Sequence, residues 1–206
     1  MVFLRLPMHI FFLSSLKKSE MRFYSYPVIP VIIIFFVVTS ACKKNDEKPD
    51  LTPPVLSVTP VDVSTVTSAI VFGADLTIDQ KNPAFEYIVN NSTVQVRSAC
   101  KGYIEDIRLN DNFPDYEVWI KMSSNSVYRI IYDHVLNLTV SKDDEVNTGD
   151  ILGIVGTGNR TELQINKTGN NNEELSYCPF DFGTSEFIQQ HKTFTENWCL
   201  TGTVKP

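Results

Sequence analysis

Apolar residues alternate with polar ones in short runs that follow one another closely between residues 93 and 166. The alternation recurs at 94–97, 118–122, 128–134 and 162–166. Gly, Asn and Asp interrupt the runs, as in Thr148-Gly149-Asp150. A period of two places every second side chain on one face of a strand. The pattern therefore predicts a mainly β domain, built as a compact antiparallel sheet or barrel.

The same alternation makes predictions about individual elements. Tyr128, Ile130, Tyr132 and His134 are expected to share one face of a strand. Residues 61–81, rich in Val, Ser and Thr, predict one or two edge strands on the domain, and we see no chemistry in them. The segment 183–206 is expected to close the domain, with its apolar side chains packing back on the sheet and its helical turn at 186–192.

The amino end is predicted to carry a targeting signal. The apolar run 30–38 ends in Thr39-Ser40-Ala41-Cys42, where a charged stretch begins. An apolar core too short to span a bilayer, ending in small residues, is typical of a cleaved export signal. With Cys42 in this place, the segment resembles a bacterial lipoprotein signal whose cysteine becomes the lipidated first residue. An ordinary secretory signal that contains Cys42 is the alternative.

The resemblance to a lipoprotein signal implies an exported protein held by a lipid anchor, at the outer membrane or cell surface of a Gram-negative bacterium. Residues 1–41 form the targeting segment, within which Met21 offers a second possible start. Residues 42–60 contain four prolines and several charges, a composition that buries little apolar surface. We therefore predict a flexible tether between the lipidated Cys42 and the domain.

Net charge excludes one class of function. The 206-residue chain carries a formal charge of −6. Proteins that bind nucleic acid through its phosphate backbone normally present a basic face or stripe. We therefore expect no nucleic-acid partner.

Motifs in the range 82–182 resemble a known family. Tyr132-Asp133-His134 ends one strand, and residues 146–158 read Val-Asn-Thr-Gly-Asp-Ile-Leu-Gly-Ile-Val-Gly-Thr-Gly. In this order, they resemble the lysostaphin-type, or LytM-like, M23 metallopeptidase domain. The resemblance implies the M23 fold (a duplicated hybrid motif) and a zinc-dependent endopeptidase that cleaves peptidoglycan cross-links.

The family's working residues are largely replaced in this chain. The His-x-x-x-Asp zinc motif falls on Asn82 and Glu86, and the late His-x-His motif falls on Arg160 and Glu162. Arg160 thus stands at the catalytic position and Glu162 at the last zinc ligand. His134 is the one catalytic position of the family that is kept.

This residue set is a poor zinc site. Catalytic zinc normally has three protein ligands rich in His, whereas Asn82, Glu86 and Glu162 offer oxygen atoms. A guanidinium stays protonated, so Arg160 can neither act as a general base nor tolerate a cation beside it. We therefore expect a degenerate site with no cofactor, in which a salt bridge or a hydrogen-bonded pair of Arg160 and Glu162 replaces the metal. His134 is then expected to be a hydrogen-bonded, half-buried residue.

Three cysteines remain after Cys42. In an oxidising compartment, Cys178 and Cys199 are the candidate disulfide, because their bridge would pin the closing segment to the domain. A bridge from Cys100 to either of them is the alternative.

Three functions remain open. The first is an inactive, envelope-anchored M23-like module that binds or regulates through peptidoglycan, a cell-wall hydrolase or another envelope protein. The second is an active zinc-dependent M23 endopeptidase with unusual ligands. The third is a carrier-like or adaptor barrel of an export system. The residues Asn82, Glu86 and Glu162 favour the first.

Overall fold

The computed structural model describes residues 48–169 and 171–206, and the fold of this part is mainly β. The strands are β1 (Val66–Ile70), β2 (Ala84–Val89), β3 (Gln95–Arg97), β4 (Gly102–Leu109), β5 (Tyr116–Lys121), β6 (Tyr128–Leu136), β7 (Glu145–Val146), β8 (Ile151–Val155), β9 (Arg160–Thr168), β10 (Glu174–Tyr177) and β11 (Thr203–Val204). Helix α1 spans Ser185–Lys192, and 3₁₀ turns span Val63–Thr65 and Pro179–Phe182. The predicted fold class is confirmed, and α1 falls where the helical turn was predicted.

The strands form one open antiparallel sheet. Its order is β1-β2-β9-β6-β5-β4-β7, with β10 and β11 joined to β9, and with β3 and β8 joined to β6. In the middle of the sheet, Glu162 of β9 lies opposite Glu86 of β2 and opposite Asp133 of β6. This register aligns three acidic residues across three neighbouring strands.

One face of the sheet packs the hydrophobic core. The largest fully buried side chains include Phe72, Phe85, Tyr87, Ile104, Ile120, Ile130, Tyr132, Leu152, Leu163 and Trp198. Tyr132 and Phe85 both lie opposite Leu163 in the register, so the core face continues across β2, β9 and β6. The opposite face carries the acidic residues Glu86, Asp133 and Glu162, and this face is called the groove below.

His134 does not share the core face, contrary to the prediction. Its φ of 54° is in the left-handed region, which interrupts the alternation of β6. Tyr128, Ile130 and Tyr132 are buried as expected. The ring of His134 instead approaches the groove carboxylate of Glu162. The positive φ of His134 therefore places its side chain in the groove and not in the core.

The carboxyl-terminal segment packs on the core face. The α1 residue His191 is fully buried, donates from Nδ1 to the Phe187 carbonyl at 2.8 Å and accepts at Nε2 from the Tyr87 hydroxyl at 2.8 Å. Trp198 donates to the His191 carbonyl. A disulfide joins Cys178 and Cys199, and Cys100 is a free, buried thiol.

The segment before residue 61 was predicted to be a flexible tether, and its described part is docked instead. Leu56 is fully buried, and its N–H donates to the Phe182 carbonyl at 2.9 Å. Ser57 donates to Ala99 in the same way. The proline-rich composition of this segment gave no sign that Leu56 would pack in the core. Cys42 and the targeting segment 1–41 lie outside the described residues.

Among the helices in the described ranges, none has the length and apolar character needed to cross a membrane.

Candidate functional site

The floor of the groove is formed by Glu86, Asp133 and Glu162. These residues lie abreast because β2, β9 and β6 are neighbours in register. Glu86 is 6% exposed, and the side chains of Glu162 and Asp133 are 18% and 25% exposed. Three carboxyl groups therefore converge in a partly desolvated place.

Arg160 neutralises one of these carboxylates. Its Nη1 lies 3.2 Å from Glu86 Oε1, in a pair whose side chains are 28% and 8% exposed. The predicted partner was Glu162, so that prediction is wrong. Arg160 stands opposite Ile88 on β2, from where its guanidinium reaches back to the next groove residue of that strand. The guanidinium also lies over the Phe113 ring, 4.9 Å from its centroid.

Asn82 is turned away from the groove by its own hydrogen bonds. Its amide nitrogen donates to the carbonyls of Ile70, Val71 and Ala84, at 3.0, 3.3 and 2.9 Å. Its carbonyl oxygen accepts from the Ala84 N–H at 3.2 Å. Asn82 therefore fastens the connection between β1 and β2.

His134 is oriented by a buried carboxylate. Its Nδ1 lies 3.1 and 3.2 Å from the two oxygens of Asp115, which is fully buried. Because a carboxylate only accepts, Nδ1 carries the proton and Nε2 has a free lone pair. Burial tends to raise the pKa of Asp115, but hydrogen bonds from Asn110, the Thr157 N–H and His134 hold it below its ordinary value.

The Nε2 atom of His134 points at the acidic floor. It lies 3.6 Å from Asp133 Oδ2 and 3.7 Å from Glu162 Oε1, which exceeds hydrogen-bonding distance. The Phe113 ring covers the imidazole edge-on, with a centroid distance of 5.4 Å. Burial raises the pKa of Glu162 to about 8, and the carboxylates of Glu86 and Asp133 add to the rise.

The zinc implied by the family resemblance does not fit the matching residues. The oxygen of Asn82 already accepts a hydrogen bond, and Glu86 is engaged by Arg160. Of the three matching positions, Glu162 alone accepts no hydrogen bond from the described residues. A zinc ion there would have to displace a guanidinium from a buried carboxylate and would replace two nitrogen ligands by oxygen.

Sequence reasoning missed the loop between β4 and β5. Asn110, Phe113 and Asp115 come from this loop and surround His134 and Arg160. The amide of Asn110 donates to both Asp115 and Asp133, at 2.7 Å each. A polar loop between strands is a common place for functional residues. The spacing of these residues carries no signal that links them to a histidine about twenty positions downstream.

Comparison with known proteins supports the fold. No family model and no curated protein matches the chain. The structural neighbours are M23-type peptidase domains at low sequence identity. Helicobacter pylori Csd3 in its orthorhombic crystal aligns with a TM-score of 0.50 at 20% identity, covering 70% of this chain and 40% of that chain. The chain thus spans well under half the length of Csd3.

Two other similar structures have lower TM-scores. A mutant catalytic domain of the prophage-encoded M23 protein EnpA from Enterococcus faecalis gives 0.45 at 20% identity, covering 64% of this chain and 94% of that chain. The catalytic domain of lysostaphin from Staphylococcus simulans gives 0.47 at 17% identity, covering 58% and 93%.

Proposed function

We propose that this chain is an envelope lipoprotein whose M23-like domain is catalytically inactive and serves as a binding or regulatory module for peptidoglycan or a cell-wall partner protein. The observation that carries the proposal is the ion pair between Arg160 and Glu86. It joins the residue at the family's catalytic position to a residue at a zinc position. Because Arg160 and Glu86 are each occupied by the other, neither group is available for a hydrolytic reaction.

The chemistry of Arg160 supports inactivity independently of any metal. A general base must accept a proton near neutral pH, and a guanidinium does not. Its positive charge, held beside Glu86, also opposes a second cation at that carboxylate. Two separate arguments therefore count against hydrolysis. The family's zinc positions offer oxygen atoms in place of two histidine nitrogens, and Arg160 cannot act as a general base.

The groove nevertheless presents a binding surface with both charge signs. Glu117, Asp133 and Glu162 contribute carboxyl groups. On the same face, the guanidinium carbons of Arg108 and Arg129 lie 3.4 and 4.1 Å from the ring centroid of Trp119. Such a surface suits a peptide that carries ammonium and carboxylate groups, as cell-wall peptides do.

The proposal is tested with purified peptidoglycan and the full chain in detergent, in the presence of Zn²⁺. We expect the protein to sediment with peptidoglycan and to release no soluble fragments. Glu117→Gln removes a groove charge while leaving an acceptor for the Trp119 N–H, so it should weaken sedimentation about two- to fivefold. Glu196→Gln, on the exposed closing segment, is the matched control and should have no effect.

Release of fragments that depends on zinc and stops in Glu86→Gln would reverse the proposal and identify a zinc-dependent M23 endopeptidase. Absence of both sedimentation and release would exclude peptidoglycan and leave the partner protein.

The lipid anchor is tested separately through Cys42. We expect Cys42→Ala to move the protein from the membrane to the soluble fraction, because the acyl chains supply the membrane affinity. The melting temperature of the domain should not change, since its folded part is unaltered. Unchanged membrane association of the variant, or failure of the wild type to incorporate labelled fatty acid, would contradict lipidation.

A further inference from the structure

The loop between β4 and β5, residues 110–115, is fixed at its base. The Asn110 N–H donates to the Asp115 carbonyl at 2.9 Å, and the Asn110 amide donates to the carboxylates of Asp115 and Asp133 at 2.7 Å each. The Asp115 carboxylate is fully buried and also accepts from the Thr157 N–H at 2.9 Å. Both ends of the loop are therefore held beside the groove.

The tip of this loop is attached differently. Residues 111–114 are exposed, and none of them takes part in a hydrogen bond or an ion pair with other residues that the structure describes. The inward contacts come from the Phe113 ring, whose centroid lies 5.4 Å from that of the His134 ring and 4.9 Å from the guanidinium carbon of Arg160. Phe113 remains 39% exposed, so it gains only part of the stabilisation of a buried phenylalanine. One partly buried side chain thus holds the tip over the groove.

We propose that the loop 110–115 is a lid that regulates access to the groove, and that a ligand enters by displacing the Phe113 ring. The inference rests on the proposed function, because it concerns the groove in which the ligand would bind. To open the lid, the ring has to leave His134 and Arg160, while the hydrogen bonds at the base of the loop remain. The cost of opening is therefore that of one partly buried aromatic contact.

The groups beneath Phe113 have hydrogen-bonding capacity that the ring does not use. His134 Nδ1 donates to Asp115, which leaves the Nε2 lone pair as an acceptor. Arg160 donates to Glu86 through Nη1, and a guanidinium has further N–H donors. A peptide group offers one N–H and one carbonyl, so it can form hydrogen bonds with both residues, whereas the phenyl ring offers neither group. The exchange of lid for ligand therefore favours a peptide chain.

The sequence of the tip limits how the lid moves. Pro114 has a fixed φ of about −65°, and the residue before a proline is restricted to extended conformations. Phe113 and Pro114 therefore move together as a short stiff unit between the fixed Asn110 and Asp115. A loop with few accessible conformations loses little entropy when it closes.

Carbethoxylation by diethyl pyrocarbonate, mapped by mass spectrometry on the full chain in detergent, tests the lid without any ligand. The reagent reacts with the lone pair of a neutral imidazole, so it reports access to His134 Nε2. We expect Phe113→Ala to raise the rate at His134 by about five- to twentyfold, since the closed lid protects the ring for most of the time. Leu109→Ala is the matched control, because it removes an exposed apolar side chain beside the loop and should change the rate less than about twofold.

His191 provides the internal reference, because it is fully buried and both of its ring nitrogens are hydrogen-bonded. In the wild type, His134 should react more slowly than in Phe113→Ala and faster than His191. Equal rates at His134 in the wild type and in Phe113→Ala would show that the ring protects nothing. A wild-type His134 as slow as His191 would show that the loop does not open. Either result would overturn the lid.

Sedimentation with peptidoglycan then tests displacement of the ring. Phe113→Ala should bind about three- to tenfold more tightly than the wild type, because the apparent affinity of a site falls with the fraction of molecules in which it is open. Weaker or unchanged binding would show that the ring is not displaced by the ligand and would overturn the lid. If neither protein sediments, peptidoglycan is excluded as the ligand of the proposed function, and the rates at His134 still decide whether the lid exists.

Discussion

The guanidinium of Arg160 lies between the Phe113 ring and the buried carboxylate of Glu86. Glu86 is 6% exposed, so it depends on this partner for its charge to be tolerated. Removing one member of a partly buried pair costs more than removing both, because the survivor is left without compensation. Arg160 is therefore a structural residue of the groove.

Arg160→Ala should lower the free energy of unfolding by about 1–3 kcal/mol, because Glu86 then stays buried without a partner. Adding Glu86→Gln should recover part of the loss, since the amide carries no charge. Urea unfolding of wild type, both single variants and the double variant measures the coupling between the two residues. If the effects of the two single substitutions simply add in the double variant, the ion pair contributes nothing to stability.

Gly156 allows the end of β8 to approach His134 closely. A Cβ added at Gly156 would lie 2.8 Å from the His134 Cβ and would also collide with Asp115. Gly156→Ala should therefore destabilise the domain by about 1–3 kcal/mol through overpacking and should displace the imidazole.

Gly202→Ala is the matched control for this change, since no atom lies within 4 Å of its added Cβ. Thermal unfolding, together with the ring resonances of His134, separates the two variants. An unchanged His134 resonance in Gly156→Ala would show that the close approach does not position the ring.

At the scale of elements, α1 and the segment after it contribute large buried side chains to the core. Around His191 lie Phe85, Phe187 and Trp198, with ring centroids 4.3–5.5 Å away. The imidazole is thus held neutral among apolar rings, and burial lowers its pKa to about 4.

Stability should fall in acid because of His191. Its folded-state pKa of about 4 lies below the ordinary value of 6.5, so the unfolded chain binds a proton that the folded chain excludes. The stabilisation is complete above pH 6.5 and is lost as the pH falls toward 4, by up to about 3 kcal/mol.

The unfolding free energy measured between pH 4 and 7, for wild type and His191→Gln, checks this. The glutamine oxygen can still accept from Tyr87 but does not titrate. The difference between the two profiles isolates His191 from carboxylates that titrate in the same range. Parallel profiles would contradict the assignment.

The strands were predictable because the period of two is a local property of the sequence. The side on which His134 lies was not predictable, since a positive φ at one non-glycine residue leaves no trace in the hydrophobic pattern. The partner of Arg160 was missed for a related reason. The alternation places Arg160 and Glu162 on one face, but only the register between β2 and β9 brings Glu86 to Arg160.

At the scale of the molecule, the segments outside the sheet proved hardest to predict. The prolines and charges of residues 42–60 led to the prediction of a flexible tether. Composition alone does not reveal that Leu56 packs in the core. In the described part, Leu56 lies beneath the 3₁₀ turn Pro179–Phe182 and the start of α1, so both flanks of the domain meet there. The fold can thus be recognised from its central strands. The boundaries of the folded domain, in contrast, depend on contacts between segments that are distant in sequence.

The docked amino-terminal segment also determines how the domain bears mechanical load. Any pull on the chain before Lys48 enters the fold through Asp50, which exchanges backbone hydrogen bonds with Asn125 and Val127, and then through Leu56. Both contacts are parallel bridges, at Ser126 and Gly183. Tension along this segment therefore has to shear several hydrogen bonds together, and part of the load reaches Val127, next to the start of β6.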